Sequence, residues 1–322
     1  MIAVDAAAPQ PPAPHRPPPL RAGDRVRLVA ASSALADLGR LQAGLEVLAG
    51  WGLELDDDPA RLPPRRWGYL AGRDSVRAGD LLADSGQGEP AALLACVRGG
   101  WGSARLLERP LATAGGWLLG FSDVTSLLWH RLAARQGGAI HGPLLTTLAA
   151  EPAWSRERLR ALLFGEPLAD LAGEPWVGGQ VEGPLLAANL TVATHLLGTP
   201  HLPPLDGAIL ILEDVGEAPY RIERMLTHWR LCGALQRLGG IGFGSFEGCG
   251  DPDGPEDDSS RFSLEQVLRE RTSDLGIPVL AGLPVGHGDV NAALPLGVRA
   301  RLDGDRGRLG LLEAAPGTVS PP

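Results

Sequence analysis

Four short apolar runs, each followed by a segment of different period, constrain the fold of this chain more than any other feature. "DRVRLVAAS" (24–32), "PAALLACVRGGWG" (90–102), "GWLLGFS" (116–122) and "AIHGP" (139–143) are near-continuous stretches of small and aliphatic residues ending in Gly, Ser or Pro. Strands of this kind are buried on both faces, as happens in parallel sheets covered by helices. The intervening segments agree: "LADLGRLQAGLEVLAGWG" and "DVTSLLWHRLAARQG" carry apolar residues at helical spacing, and the first stops on glycines. Shorter helices are expected at "DSVRAGDLLADSG", with Asp74 as its cap, and at "SARLLERPLA". The alternation predicts an α/β fold with a Rossmann-like parallel sheet over residues 21–150.

The rest of the chain reads differently. Residues 1–20, "MIAVDAAAPQPPAPHRPPPL", have many prolines and little to bury, and read as a disordered tail. Residues 151–182 read as a connecting helix and a Gly/Pro-rich linker. Residues 183–322 hold strands such as "GAILILEDVGE" and "LGGIGFGSFEG", helices such as "YRIERMLTHWRLCGAL", an acidic stretch "DPDGPEDDSS", and closing segments that alternate like β-structure. A second, mixed α/β domain is the expectation there.

Composition excludes several function classes. With 322 residues, 44% of them apolar, the chain is long enough for two domains, each with a core. A net charge of -9 and the absence of a Lys/Arg stripe argue against a nucleic-acid partner. No apolar run reaches the roughly 18 residues that span a bilayer, and the N-terminus lacks a signal-peptide pattern, so no membrane partner is expected. Cys96, Cys232 and Cys249 form no C-x-x-C pair. They read as reduced thiols in a cytoplasmic protein with no metal site.

In open α/β sheets, ligands sit beyond the carboxyl ends of the strands. Three chemically capable residues fall at such ends: Ser122 after "WLLGF", Glu213 at the end of "AILIL", and His287 in "GLPVGHGD". A hydroxyl, an imidazole and a carboxylate are the parts of a nucleophilic triad. Ser122 opens a helix, whose free N–H groups favour an oxyanion; the amide of Asp123 is one donor, and Gly100 or Gly99 in "VRGGWG" can supply another. Each residue also has a plainer use. Ser122 fits a helix cap, His287 a turn, Glu213 a surface carboxylate, and Val124 stands where a G-x-S-x-G elbow has its second glycine.

Six stretches taken together add a resemblance. "YLAGRDSVRAGDL", "RGGWGSARLL", "GFSDVTSLL", "HGPLL", "ILEDVGEAPYRIERMLTHWRLCG" and "LPVGHGDVNAALPLGVRARLD", in that order from about Gly23 to Leu312, resemble the LD-carboxypeptidase family of serine peptidases. The resemblance implies Ser122 as nucleophile, Glu213 as the residue orienting the base, His287 as base, and an oxyanion hole at Asp123 and Gly100 or Gly99. It also implies a β-barrel-like sheet in the C-terminal domain, a homodimer, no cofactor, and release of the C-terminal D-alanine of a murein tetrapeptide in cytoplasmic cell-wall recycling. Arg98, with Trp101 beside it, is a candidate for the substrate carboxylate, against an internal salt bridge for the arginine. The sequence departs from the family pattern at Leu144, where methionine is commoner, and at Ala292 and Ala293, changes that bear on substrate fit. Two other readings stay open: cleavage of a peptidyl-nucleotide antibiotic, as in the microcin C immunity branch, and a non-catalytic ligand-binding homologue. Tryptophan is missing from "DPDGPEDDSS", which disfavours the former; a complete set of triad residue types disfavours the latter.

Overall fold

A computed structural model describes residues 16–56, 58–82, 91–111, 115–250 and 262–312. The first half runs β1 (Arg25–Val29), α1 (Leu38–Gly50), β2 (Glu54–Leu55), α2 (Asp74–Gly79), β3 (Leu93–Cys96), β4 (Trp117–Gly120), α3 (Thr125–Ala133), β5 (Ala139–His141), α4 (Leu145–Leu148) and α5 (Ala153–Phe164). Every residue of β3, β4 and β5 is buried, which is what an apolar run without alternation requires. These strands and β1 pair in parallel, in the order β5-β4-β3-β1-β2. Strand order reverses between β1 and β3, the position at which a doubly wound sheet opens a crevice.

The second half continues with β6 (Leu171–Ala172), β7 (Glu174–Val177), β8 (Gln180–Asn189), α6 (Leu190–Leu196), β9 (Ile209–Val215), α7 (Pro219–Leu231), β10 (Gly240–Glu247), α8 (Leu264–Thr272), β11 (Val279–Ala281), β12 (Leu294–Pro295), β13 (Arg299–Asp303) and β14 (Arg308–Leu311). Its eight-stranded sheet has the order β6-β14-β13-β8-β9-β10-β11-β7. The two edge strands, β6 and β7, are separated in sequence by Gly173 alone. The sheet therefore curls until its two edges meet at that glycine, a nearly closed barrel, which removes most of the exposed edge. A parallel centre, β8-β9-β10-β11, and antiparallel flanks make the domain mixed, as its sequence implies.

The structure differs from the sequence reading in three places. Of the stretch 1–20, residues 1–15 lie outside the described residues, but residues 16–20 are docked: Leu20 is buried, its N–H bonds to Leu163 O, and Pro18 O accepts from the Trp117 indole. One leucine and one acceptor suffice to hold a segment that composition alone assigns to a tail. Residues 151–182 hold a connecting helix, α5, as expected, but the Gly/Pro-rich part after it contains β6, β7 and the start of β8, and so belongs to the sheet where a linker was expected. Strands of two and four residues are too short to show a period, and Pro175 is tolerated because β7 is an edge strand. Asp74 is the first residue of α2, with Arg73 in the cap position; its carboxylate instead pairs with Arg77 and Arg105.

Several connections lock the halves together. Helix α3 is buried along most of its length, and its Trp129 donates to Ala187 O of β8 at 3.0 Å while packing edge-on against Trp229 of α7. Strand β12, from the far end of the chain, returns to pair antiparallel with β5, placing Leu294 opposite His141. Among the described residues no helix is long and apolar enough to cross a membrane.

Candidate active site

The turn after β4 is strained at Ser122. Phe121 is extended, and Ser122 then takes φ +63°, one of only two non-glycine residues at positive φ among the described residues. A left-handed serine is costly, on the order of 1–2 kcal/mol. It bends the chain sharply from strand into the single 3₁₀ turn Ser122–Val124, and α3 follows. The expected cap bond is not there: the cap position is Phe121, and the Ser122 hydroxyl points elsewhere.

It points at His287. The Ser122 Oγ lies 3.1 Å from His287 Nε2, and His287 Nδ1 lies 2.6 Å from Glu213 Oε2. With the ring proton on Nδ1, the imidazole donates to the carboxylate and offers its Nε2 lone pair to the hydroxyl, so one tautomer satisfies both contacts. Glu213 is fully buried at the end of β9. Burial pushes its carboxyl up, and the hydrogen bond from His287 pulls it back down. Phe121 packs on the His287 ring at 4.7 Å between centroids and on His141 at 5.7 Å. His141 itself is fully buried with neither ring nitrogen hydrogen-bonded, and desolvation, aided by His287, holds its pKa down at about 3.

The glycine loop after β3 approaches the serine closely. A Cβ on Gly99 would sit 2.9 Å from both Cβ and Oγ of Ser122 and 3.6 Å from the amide nitrogen of Asp123. Gly100 has φ +107°, and a Cβ there would strike Ser33. The loop is held from three sides. Trp101 N donates to Ser33 Oγ; Ser103 N and Oγ donate to the carboxylate and carbonyl of Asp123; the buried Arg77 donates to Gly102 O and Ala31 O. Asp123 thus binds the loop through its side chain while its amide stands beside Gly99.

A cleft of ≈ 390 Å³ opens over Ser122 and His287. It is walled by residues following β1 (Leu35, Asp37, Arg40), β3 (Arg98, Gly99, Gly100) and β5 (Leu144, Thr146, Thr147), the carboxyl ends of the strands around the reversal in order. Arg98 lines it and spends one donor on Ala34 O at 2.9 Å, a bond between loops where an ion pair was the alternative. Trp101, 44% exposed, is not part of the cleft wall. Ala292 and Ala293 are fully buried away from it, while Leu144 is in it. No cluster of metal-binding side chains occurs among the described residues, and the acidic stretch 251–260 lies outside them.

Sequence reasoning missed Asp37, Arg40, Thr146 and Thr147 of the wall, and the supports Ser33, Arg77 and Ser245. Arg77 had a signal, since it lies in the quoted stretch "YLAGRDSVRAGDL". Ser245 had none: a bulge in β10 between Phe243 and Phe246 turns its hydroxyl to accept from Gly288 N at 2.9 Å.

Comparison with known proteins agrees along the chain. The LD-carboxypeptidase N-terminal domain matches residues 26–142 and the LD-carboxypeptidase C-terminal domain residues 182–302. A protein of Synechocystis sp. with only a provisional carboxypeptidase name is 48% identical over 302 residues, covering 92% of this chain and 97% of that one. The murein tetrapeptide carboxypeptidase of Pseudomonas aeruginosa is 36% identical over 305 residues, covering 88% and 94%. The crystal structure of muramoyltetrapeptide carboxypeptidase from Oxalobacter formigenes superposes with a TM-score of 0.76 at 26% identity, covering 88% of this chain and 97% of that one.

Proposed function

The chain belongs to the LD-carboxypeptidase family of serine-type hydrolases, and from that premise we propose that it removes a C-terminal D-amino acid from an L,D peptide bond, the D-alanine of a murein tetrapeptide. The observation that carries this reading is the hydrogen-bonded chain from Ser122 through His287 to Glu213, built on a strained strand-to-helix turn.

Ser122 is the nucleophile. A hydroxyl attacks an amide carbon effectively only if a base takes its proton, and the Nε2 of His287 is placed for that; Glu213 fixes the ring and offsets the positive charge it acquires. The tetrahedral oxyanion is received by the Asp123 amide and that of Gly100, with Gly99 as the alternative, each such donor contributing on the order of 3 kcal/mol. Collapse breaks the C–N bond as His287 returns the proton to the departing D-alanine nitrogen. Water, deprotonated by the same imidazole, then hydrolyses the acyl-serine and regenerates Ser122. Apart from the substrate and the water, every group in these steps belongs to the chain, and none of them calls on a cofactor. Arg98 is the candidate for the substrate's terminal carboxylate, since its guanidinium has donors beyond the one given to Ala34 O. Turnover of cell-wall peptides in the cytoplasm by a homodimer is the setting this reading implies, and light scattering checks the dimer.

Incubation with a murein tetrapeptide, its all-L analogue and a peptidyl acyl-sulfamoyl nucleotide, followed by mass analysis, tests the proposal. Loss of D-alanine from the first alone is expected. Cleavage of the nucleotide in preference would move the enzyme to the microcin C immunity branch, and full activity in Ser122→Ala would remove the assigned nucleophile.

A further inference from the structure

The base and the nucleophile stand on different halves of the molecule, and no helix or strand holds the base. His287 lies in the loop 282–293 between β11 and β12, whereas Ser122 follows β4 of the first sheet. Loops are the more mobile parts of a fold, yet a base must keep its ring nitrogen within hydrogen-bond reach of the hydroxyl. Part of the fixing comes from the second sheet, where Ser245 N donates to Val285 O and Ser245 Oγ accepts from Gly288 N. Those contacts register the loop to Glu213 but say nothing of Ser122.

The first half holds the C-terminal end of this loop by the β12–β5 pairing, by Arg158 Nε donating to Ala293 O at 3.0 Å and by Ser155 Oγ donating to Asn291 O at 3.4 Å. The contact that also leads to the residue before His287 runs through a carboxylate. Glu151, between α4 and α5, accepts on Oε2 from the Ser155 hydroxyl at 2.8 Å and from the backbone N–H of Asn291 at 3.0 Å. The Asn291 side chain in turn accepts from the N–H of Gly286, the residue before His287, at 3.0 Å. Glu151 is 8% exposed, Asn291 1%, and Ser155 is fully buried. Burial raises the Glu151 carboxyl; the Asn291 and Ser155 hydrogen bonds offset this most, and Arg156 adds a smaller Coulombic effect without forming one of the salt bridges found among the described residues. A buried carboxylate held mainly by two hydrogen bonds is expensive to keep, and ordinary packing would be served as well by an apolar side chain. What an apolar residue could not do is hold the peptide of Asn291, and through it Gly286, at a set distance from the first sheet.

We infer that Glu151 is a positioning residue for His287, acting through Asn291 and Gly286 to register the base against Ser122. The inference rests on the assignment of Ser122 and His287 as nucleophile and base. Because both hydrogen bonds are accepted by a single oxygen, the role needs an acceptor and no charge. Glutamine can fill it; alanine cannot.

The test uses two readouts in the full-length protein: kcat and KM on the murein tetrapeptide, and the rate at which a fluorophosphonate probe labels Ser122, which reports the base without the natural substrate. Glu151→Ala should lower both kcat and the labelling rate by about 10- to 100-fold with KM nearly unchanged, the scale on which small misplacements act. Glu151→Gln should stay close to wild type, and Asn291→Ala should be slowed as much as Glu151→Ala. The double variant should be little slower than either, because both break one path. Thermal unfolding establishes which variants are folded at the assay temperature, and if Glu151→Ala is not, Asn291→Ala carries the comparison. Wild-type labelling rates in folded Glu151→Ala or Asn291→Ala, or a Glu151→Gln as slow as the alanine variant, would overturn the inference. A wild-type protein that the probe does not label at Ser122 would instead sink the nucleophile assignment on which it rests.

Discussion

The two sides of the proposed active site are built in opposite ways. On the nucleophile side everything is local: a buried strand, one left-handed serine, a 3₁₀ turn and a helix, all within 117–133, with Gly99 close enough to exclude any side chain. On the base side nothing is local. His287 meets a glutamate 74 residues away and a serine 165 away, and its loop is tied to Glu151 at a separation of 140. The serine's geometry costs backbone strain within one turn; the bond from His287 to Ser122 forms only where the two halves meet. One side can therefore be damaged by a single atom, and the other by loosening a distant contact.

The largest expected effect separates these two kinds of construction directly. Ser122→Gly and His287→Gly should each lower kcat by about 10⁴-fold or more. Their stabilities should diverge. At φ +63° glycine relieves a left-handed penalty of about 1–2 kcal/mol, which offsets the lost bond to His287 and the larger unfolded-state entropy of glycine. Ser122→Gly should therefore unfold at or slightly above the wild-type temperature, while His287→Gly loses its bonds to both Ser122 and Glu213 with no such relief and should unfold lower. Equal melting temperatures would mean that the serine turn stores no strain and that the local side is no more preloaded than the other.

Next in size is Glu213, the proposed orienting carboxylate. Glu213→Gln keeps the shape but offers the ring an amide, so the Nδ1 proton loses its charged partner; kcat should fall by about 10²- to 10⁴-fold. Because burial already disfavours the charge on Glu213, stability at neutral pH should hold or rise. On the nucleophile side, Gly99→Ala places a methyl 2.9 Å from the Ser122 oxygen. A loss of about 10²-fold in kcat is expected, with the fluorophosphonate reaction slowed alike, since the obstruction lies at the attacking atom itself.

The same contrast decides what could be read from the sequence. Uniformly apolar runs are a direct consequence of burial on both faces, so β1, β3, β4 and β5 were legible, and so was the presence of chemically apt residues at strand ends. Local features failed only where a competing local use existed: Ser122 looks like a cap because the hydroxyl that would cap is the one claimed by His287, and Asp74 looks like a cap because its pairing with Arg105 is invisible in one dimension. The edge strands β6 and β7 were hidden in a Gly/Pro-rich segment whose pairing partners lie more than a hundred residues downstream. Glu151 lies in "AEPAWSRERLR", which reads as the start of a connecting helix, and nothing in that stretch announces that it holds a loop at Asn291. Whatever depends on the docking of the two halves was beyond the reach of periodicity.

The smallest effect concerns His141, where the two sides touch through Phe121. This imidazole is kept neutral by burial, with a pKa of about 3 against an ordinary value near 6.5. Between those values the unfolded chain binds a proton that the folded protein refuses, so folding is favoured above pH 6.5 and the advantage is lost as pH falls, at about 1.4 kcal/mol per unit once the unfolded imidazole is charged. Glu213 and Glu151 work in the opposite direction, because burial raises their carboxyls and protonation below those raised values favours the folded state. The informative quantity is thus the difference between wild type and His141→Phe, in which the glutamates largely cancel. Phenylalanine keeps the edge contact with Phe121 and leaves no unpaired ring nitrogen, so the variant should match or exceed wild-type stability at pH 7 and lose less of it on acidification from pH 6.5 to 4, measured by urea unfolding. Its kcat at pH 7 should change little, since neither nitrogen of His141 bonds to the triad side chains. Parallel acid limbs for the two proteins would show that His141 is protonated in the folded state, and that the joint between the nucleophile and base sides is wetter than its burial implies.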